Sequence, residues 1–161
     1  GGPYGKAWYS FRVGNAFFVI LNSQLDMDAQ AKFLDRELAR AKREGLRWLF
    51  AAWHVPPYSS GHHGCDKETA EKWVPIVEKH RVACVFSGHD HLYEHSFKAG
   101  VHYVVAGGGG APLYPVGAKP NPYSVKGESV LHYVQVLVSP DQLTVRAIRA
   151  DGSLIEEFEV K

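Results

Sequence analysis

Two short apolar runs, each ending at a histidine, constrain this chain more than any other feature. Arg47-Trp48-Leu49-Phe50-Ala51-Ala52-Trp53 stops at His54-Val55-Pro56-Pro57-Tyr58-Ser59-Ser60-Gly61. Val82-Ala83-Cys84-Val85-Phe86 stops at Ser87-Gly88-His89-Asp90-His91. Runs of this length, apolar on both faces, read as strands inside a covered sheet. Residues 67–80 between them follow a helical pattern, with Ala70, Trp73, Val74 and Val77 on one side. Two strands joined by a helical crossover run parallel, so His54, His89 and His91 are predicted at one carboxyl edge. In open α/β sheets that edge is where ligands bind. His-x-His by itself is a weak signal, because neighbouring histidines are common on surface loops. Three imidazoles at one sheet edge are harder to explain as core residues, and each neutral ring offers a lone pair to a metal.

The remaining segments supply a frame for that edge. Residues 7–13 and 16–22 flank Gly14-Asn15 and read as a hairpin, after a turn-rich opening at 1–6. A helix is predicted from Met27, with Met27, Ala31, Leu34, Leu38 and Ala41 on one stripe and Gly45 ending it. Its Lys32, Asp35, Arg36, Arg40 and Lys42 fall on the other faces. Pro75 predicts a break near Val74 in the next helical stretch. Short strands are expected at 96–98 and 101–106, turning at Ala99-Gly100. Gly107-Gly108-Gly109-Gly110 then breaks regular structure. This run matches no phosphate-loop motif and suits close backbone approach at the site rim, which brings Gly108 and Gly109 into the candidate set. Residues 112–122 form a long irregular loop of the kind that serves as a lid or binding edge. Residues 130–138, 143–149 and 154–160 alternate as an antiparallel meander.

Between the first strand and the second helix lies His62-His63-Gly64-Cys65-Asp66. Three readings compete: a small separate metal site, a polar loop without chemistry, or a loop that faces substrate. Neither cysteine has metal or redox spacing. Cys84 falls in the buried strand and Cys65 on the loop, and their disulfide state stays open. A chain of 161 residues is long enough for one domain with a substantial core. Its net charge of +1 supplies no electrostatic reason to bind nucleic acid. No stretch approaches the ~18 apolar residues of a membrane span.

The order His54-Val55-Pro56-Pro57-Tyr58, helix, Gly88-His89-Asp90-His91-Leu92-Tyr93-Glu94 resembles the calcineurin-like metallophosphoesterases, in particular their purple-acid-phosphatase-like branch. That resemblance implies a mixed α/β fold, the C-terminal half of a four-layer αββα sandwich. It implies phosphoester hydrolysis at a dinuclear metal centre of iron, zinc or manganese, with a phosphomonoester favoured as substrate. His54 and His89 would hold one ion and His91 its neighbour. His62 or His63 would act on the leaving group as catalytic residues. Tyr58, Asp90, Tyr93, Gly108 and Gly109 would support ligands or face substrate. An extracytoplasmic or secreted location is slightly favoured by the same likeness.

The pattern is incomplete. Three earlier family motifs, Asp-x-His, Gly-Asp-x-x and Gly-Asn-His-Glu/Asp, are absent, and Gly14-Asn15-Ala16 has Ala where His is required. His95 also stands where Arg is more usual. The expectation is a single partial catalytic domain over 1–161 whose partner is its own missing N-terminal half, inactive alone and holding at most one ion weakly. A non-catalytic zinc-binding or partner-binding module that reuses the histidines is the alternative, and it needs a fourth ligand from Asp90, His95, Cys65 or Asp66.

Overall fold

The computed structural model describes residues 7–161, so the opening expected at 1–6 lies outside the described residues. The elements run β1 (Tyr9–Val13), β2 (Ala16–Ile20), α1 (Met27–Arg43), β3 (Trp48–Ala52), α2 (Lys67–Lys72), α3 (Val74–His80), β4 (Cys84–Ser87), β5 (Tyr93–Lys98), β6 (Val101–Ala106), β7 (Ser124–Glu128), β8 (His132–Val138), β9 (Leu143–Arg149) and β10 (Leu154–Val160). They form a seven-stranded sheet, β1-β2-β3-β4-β6-β5-β7, and a three-stranded sheet, β10-β9-β8. The centre of the large sheet is parallel, and Phe50, Ala51 and Ala52 pair with Cys84, Val85 and Phe86.

Both faces of that centre are covered. On one, Leu34, Leu38, Trp73 and Val77 of the helical layer pack against Phe17, Leu49, Ala51 and Val85. On the other, Leu143, Val145 and Val160 pack against Trp48, Phe50 and Cys84. This explains why the two apolar runs carry no alternation. The layers are thus α, β and β. Among the described residues no helix joins the core clusters between the two sheets.

Helix α1 starts at Asp26, whose carboxylate accepts from the Ala29 N–H, and ends before Gly45 at φ +73°. Pro75 sits in the first turn of α3, so α2 stops at Lys72 and the break falls where proline demands it. Strand β5 begins at Tyr93, three residues earlier than expected, and β7 is a strand without a sequence forecast. Both depend on polar side chains that are satisfied only in three dimensions. Cys65 and Cys84 are both free thiols.

Two fully buried carboxylates tie the loops to this frame. Glu94, on β5, accepts from the Ser60 N–H and Oγ (2.5 Å each), Ser124 Oγ (2.6 Å) and Asn121 Nδ2 (2.9 Å). Asp90 accepts from Ser59 Oγ at 2.5 Å and the His63 N–H at 2.9 Å. Gly61 leaves Asp90 its room, since a Cβ there would lie 2.4 Å from the Asp90 Cγ.

A third polar cluster lies between the sheets. Glu156 accepts from Tyr93 Oη (2.8 Å) and pairs with His95 Nδ1 (3.1 Å), while His95 Nε2 meets His102 Nδ1 at 2.8 Å. Phe158 stacks on both imidazoles. Burial disfavours charge on Glu156, yet the His95 and Tyr93 hydrogen bonds outweigh it and hold the carboxyl below its ordinary range. Burial, reinforced by His95, pushes His102 down to about 4.

Two outcomes follow from these networks. Glu94→Ala strands four donors in the interior and should cost on the order of 3–5 kcal/mol in urea unfolding. His102 is depressed in the folded state, so the unfolded chain binds the extra proton between about pH 6.5 and about pH 4. Stability carried by His102 is therefore complete above pH 6.5 and lost as pH falls through that window, by at most about 1.4 kcal/mol per pH unit. In thermal unfolding across that range, His102→Gln should show a shallower decline than the parent chain.

Candidate metal centre

The parallel pair β3 and β4 brings the histidines together. Past the last paired residues, the Trp53 N–H donates to the Phe86 carbonyl (3.1 Å) and the Gly88 N–H to the His54 carbonyl (3.0 Å). The backbone zipper thus continues into the loops, and His54 Nε2 comes to 3.3 Å from His89 Nδ1. His89 itself has φ +66°, and the Asp90 N–H closes a three-residue turn onto the Gly88 carbonyl at 2.8 Å. This reversal sends Asp90 inward and leaves His89 and His91 on the outer side of the turn. Asp90 is fully buried, whereas both histidines keep partial exposure.

The 59–63 loop approaches from the other side. Held by Asp90 through Ser59 and the His63 N–H, it carries His63 to a ring distance of 4.1 Å from His89, with His62 5.0 Å beyond. His54, His62 and His63 are exposed. Burial first, then the neighbouring His63 and His54, lower the His89 pKa, which favours a neutral ring. His91 Nδ1 lies 2.8 Å from the Pro112 carbonyl. A carbonyl only accepts, so Nδ1 carries the proton and Nε2 keeps its lone pair.

These donors suit a metal ion in part. Two nitrogens each about 2.1 Å from a tetrahedral ion stand about 3.4 Å apart, close to the His54–His89 separation. Among the described residues no group of three or more His, Cys, Asp or Glu side chains is arranged to hold one ion. His91 is therefore beside the His54–His89 pair and does not complete it.

Other candidates occupy different surroundings. Tyr58 is buried against Tyr103 and Tyr123. Tyr93 donates to Glu156 between the sheets, and its ring meets His132 edge-on. Gly108 lies against His132 and the Val130 carbonyl, while Gly109 has open space where a Cβ would be. The close backbone approach falls at Gly107, where a Cβ would lie 1.9 Å from the Asp90 carbonyl oxygen. Tyr114, unforeseen in the sequence, stacks on His91 at 4.3 Å. Glu94, Ser60 and Asn121 were equally silent, because a buried carboxylate and its donors come from three separate segments.

Comparison with known proteins places the chain by family and fold. Residues 5–93, more than half of the chain, match the model of the calcineurin-like phosphoesterase family. Purple acid phosphatase 15 of Arabidopsis thaliana is 34% identical over 125 residues, covering 68% of this chain and 23% of that protein. The Fe(3+)-Zn(2+) purple acid phosphatase 12 of the same plant is 33% identical over 103 residues, 59% of this chain and 21% of that protein. The chain thus spans about a quarter of the length of these relatives. Among solved structures, purple acid phosphatase PPD1 from yellow lupin superposes with a TM-score of 0.89 at 22% identity, covering 99% of this chain and 33% of that one. The fold is therefore that of the metallophosphoesterases, and the chain belongs to the calcineurin-like phosphoesterase family.

Proposed function

We propose that this chain supplies the imidazole half of a dinuclear hydrolytic site, with a phosphomonoester as the favoured substrate. The observation that carries the proposal is the 3.3 Å approach of His54 Nε2 to His89 Nδ1, with His91 and His63 alongside. The named Fe(3+)-Zn(2+) relative supports two metal ions as the group bound. When bound, such ions supply Lewis-acid stabilisation of charge on the phosphoryl oxygens and lower the pKa of water. His54 and His89 would hold one ion, and His91 the other through Nε2. His62 or His63, exposed and adjacent to His89, would hand a proton to the leaving oxygen.

A dinuclear site needs carboxylates, and Asp90 is not free to serve: its oxygens accept from Ser59 and His63. We assign the remaining ligands to a preceding segment of the same domain. Three buried polar atoms without partners among the described residues support this: Trp53 Nε1, Ser87 Oγ and His132 Nε2. Trp53 and Ser87 line a cleft of about 350 Å³ with His54 and Phe86, and Phe86 and His132 line a neighbouring one of about 410 Å³. Strand β8 beside it pairs only with β9 among the described strands. A structural zinc module has less support, because His95 is held between the sheets, Asp66 caps α2 and Asp90 faces inward.

Metal content and p-nitrophenyl phosphate hydrolysis of the isolated chain test this directly. At most one weakly held ion and background turnover are expected, and robust turnover would overturn the half-site reading. In a polypeptide that includes the preceding segment, replacing His62 and His63 with Ala should lower kcat about 10²–10⁴-fold for poor leaving groups. The loss should be smaller for p-nitrophenolate, which departs with little need of a proton.

A further inference from the structure

We propose that residues 112–117 form a fixed strap across the candidate site, and that Tyr114 is a positioning residue for His91. The inference rests on the reading of His91 as a metal ligand. The strap is bonded to both arms of the site. On one side the Tyr114 N–H donates to the His91 carbonyl (3.0 Å), and His91 Nδ1 donates to the Pro112 carbonyl (2.8 Å). On the other, the Gly117 N–H donates to the Ser60 carbonyl (2.7 Å). The strap lies so near that loop that a Cβ at Gly117 would stand 2.8 Å from the Ser60 oxygen. Beyond it, the buried Asn121 fastens the chain again, its N–H to Ser60 Oγ and its amide to Glu94.

Within this span, Tyr114 lies nearly parallel to His91, with ring centroids 4.3 Å apart and planes 17° from each other. Its other neighbours are His62 at 5.5 Å and His63 at 5.6 Å. The two contacts to His91 do different work. The Pro112 carbonyl selects the tautomer with the proton on Nδ1, and the Tyr114 face opposes rotation of the ring about its Cβ–Cγ bond. Together they keep the Nε2 lone pair pointing one way before any ligand arrives, which is how groups behind a metal ligand raise affinity. Pro112 and Pro115 restrict backbone φ on either side of Tyr114, so the strap itself has few alternative shapes.

Nuclear magnetic resonance of the full chain labelled with ¹⁵N-histidine, without metal, tests the proposal. The parent chain should show His91 in the Nδ1–H tautomer, with Overhauser contacts between the Tyr114 and His91 rings. Tyr114→Ala should leave the proton on Nδ1 but free the His91 ring to reorient, read as exchange broadening of its Nε2 signal and an about 10-fold weaker zinc response at His91, and Tyr114→Phe should restore both. Missing ring contacts in the parent chain would overturn the proposal without recourse to any variant. A His91 ring as immobile in Tyr114→Ala as in the parent chain would overturn it as well. Failure of the underlying metal reading is separable: zinc would then leave the His54, His89 and His91 signals of the parent chain unmoved, whatever the tautomer result.

Discussion

Asp90 and Glu94 govern the geometry of the histidine edge although neither reaches solvent. Withdrawing a carboxylate from water costs several kcal/mol unless hydrogen bonds replace the lost hydration. Here the replacements come from loops and, at Ser124, from the first residue of β7. Ser59, Ser60 and the His63 N–H belong to the loop after β3, and Asn121 and Ser124 to the segment leading into β7. The dependence is mutual. The loops are anchored through these carboxylates, and among the described residues the carboxylates draw their donors from these segments. Moving either loop would leave a charge buried and unpaired, so the arrangement is held far more firmly than an exposed loop of similar length.

Strand geometry sets the other coordinate. Neighbouring strands stand about 4.8 Å apart, and the hydrogen bonds that continue beyond β3 and β4 hold that spacing as far as His54 and Gly88. Imidazoles on such adjacent ends need only modest side-chain rotation to bring two nitrogens within reach of one ion. The left-handed turn at His89 then separates inward from outward residues, so one short stretch supplies both the anchor and the ligands. Fold and chemistry are coupled at this point, because Asp90 is the residue that holds the neighbouring loop and also the residue between the two histidines.

Much of this was legible in the chain before any coordinates. The unbroken apolar runs at 47–53 and 82–86 marked strands covered on both faces, and their histidine endings marked the edge that matters. Pro75, Gly45 and Gly14-Asn15 placed a helix break, a helix end and a hairpin correctly, since each acts through local backbone preference. What escaped was polar and long-range. Glu94 entered only as the last letter of the family motif and His95 as a possible zinc ligand, and their burial stayed hidden because their partners lie as far away as Ser60 and Glu156. Strand β7 has little apolar content and is visible only through its pairing with β5. Tyr114 looked like one more aromatic in a proline-rich loop, since stacking across 23 positions leaves no periodic trace.

The reversed backbone at His89 bears on transplantation. A left-handed conformation costs a non-glycine residue roughly 1–2 kcal/mol, and here the surrounding bonds to Ser59, His63 and Gly88 hold it in place. A synthetic peptide spelling only Gly88 to Tyr93 lacks the Ser59 and His63 anchors and would relax to extended or right-handed shapes, letting its side chains scatter. The motif is therefore not a portable cassette. Anyone grafting it into another scaffold must carry across the serine loop as well, because the six letters borrow their shape from residues some thirty positions upstream.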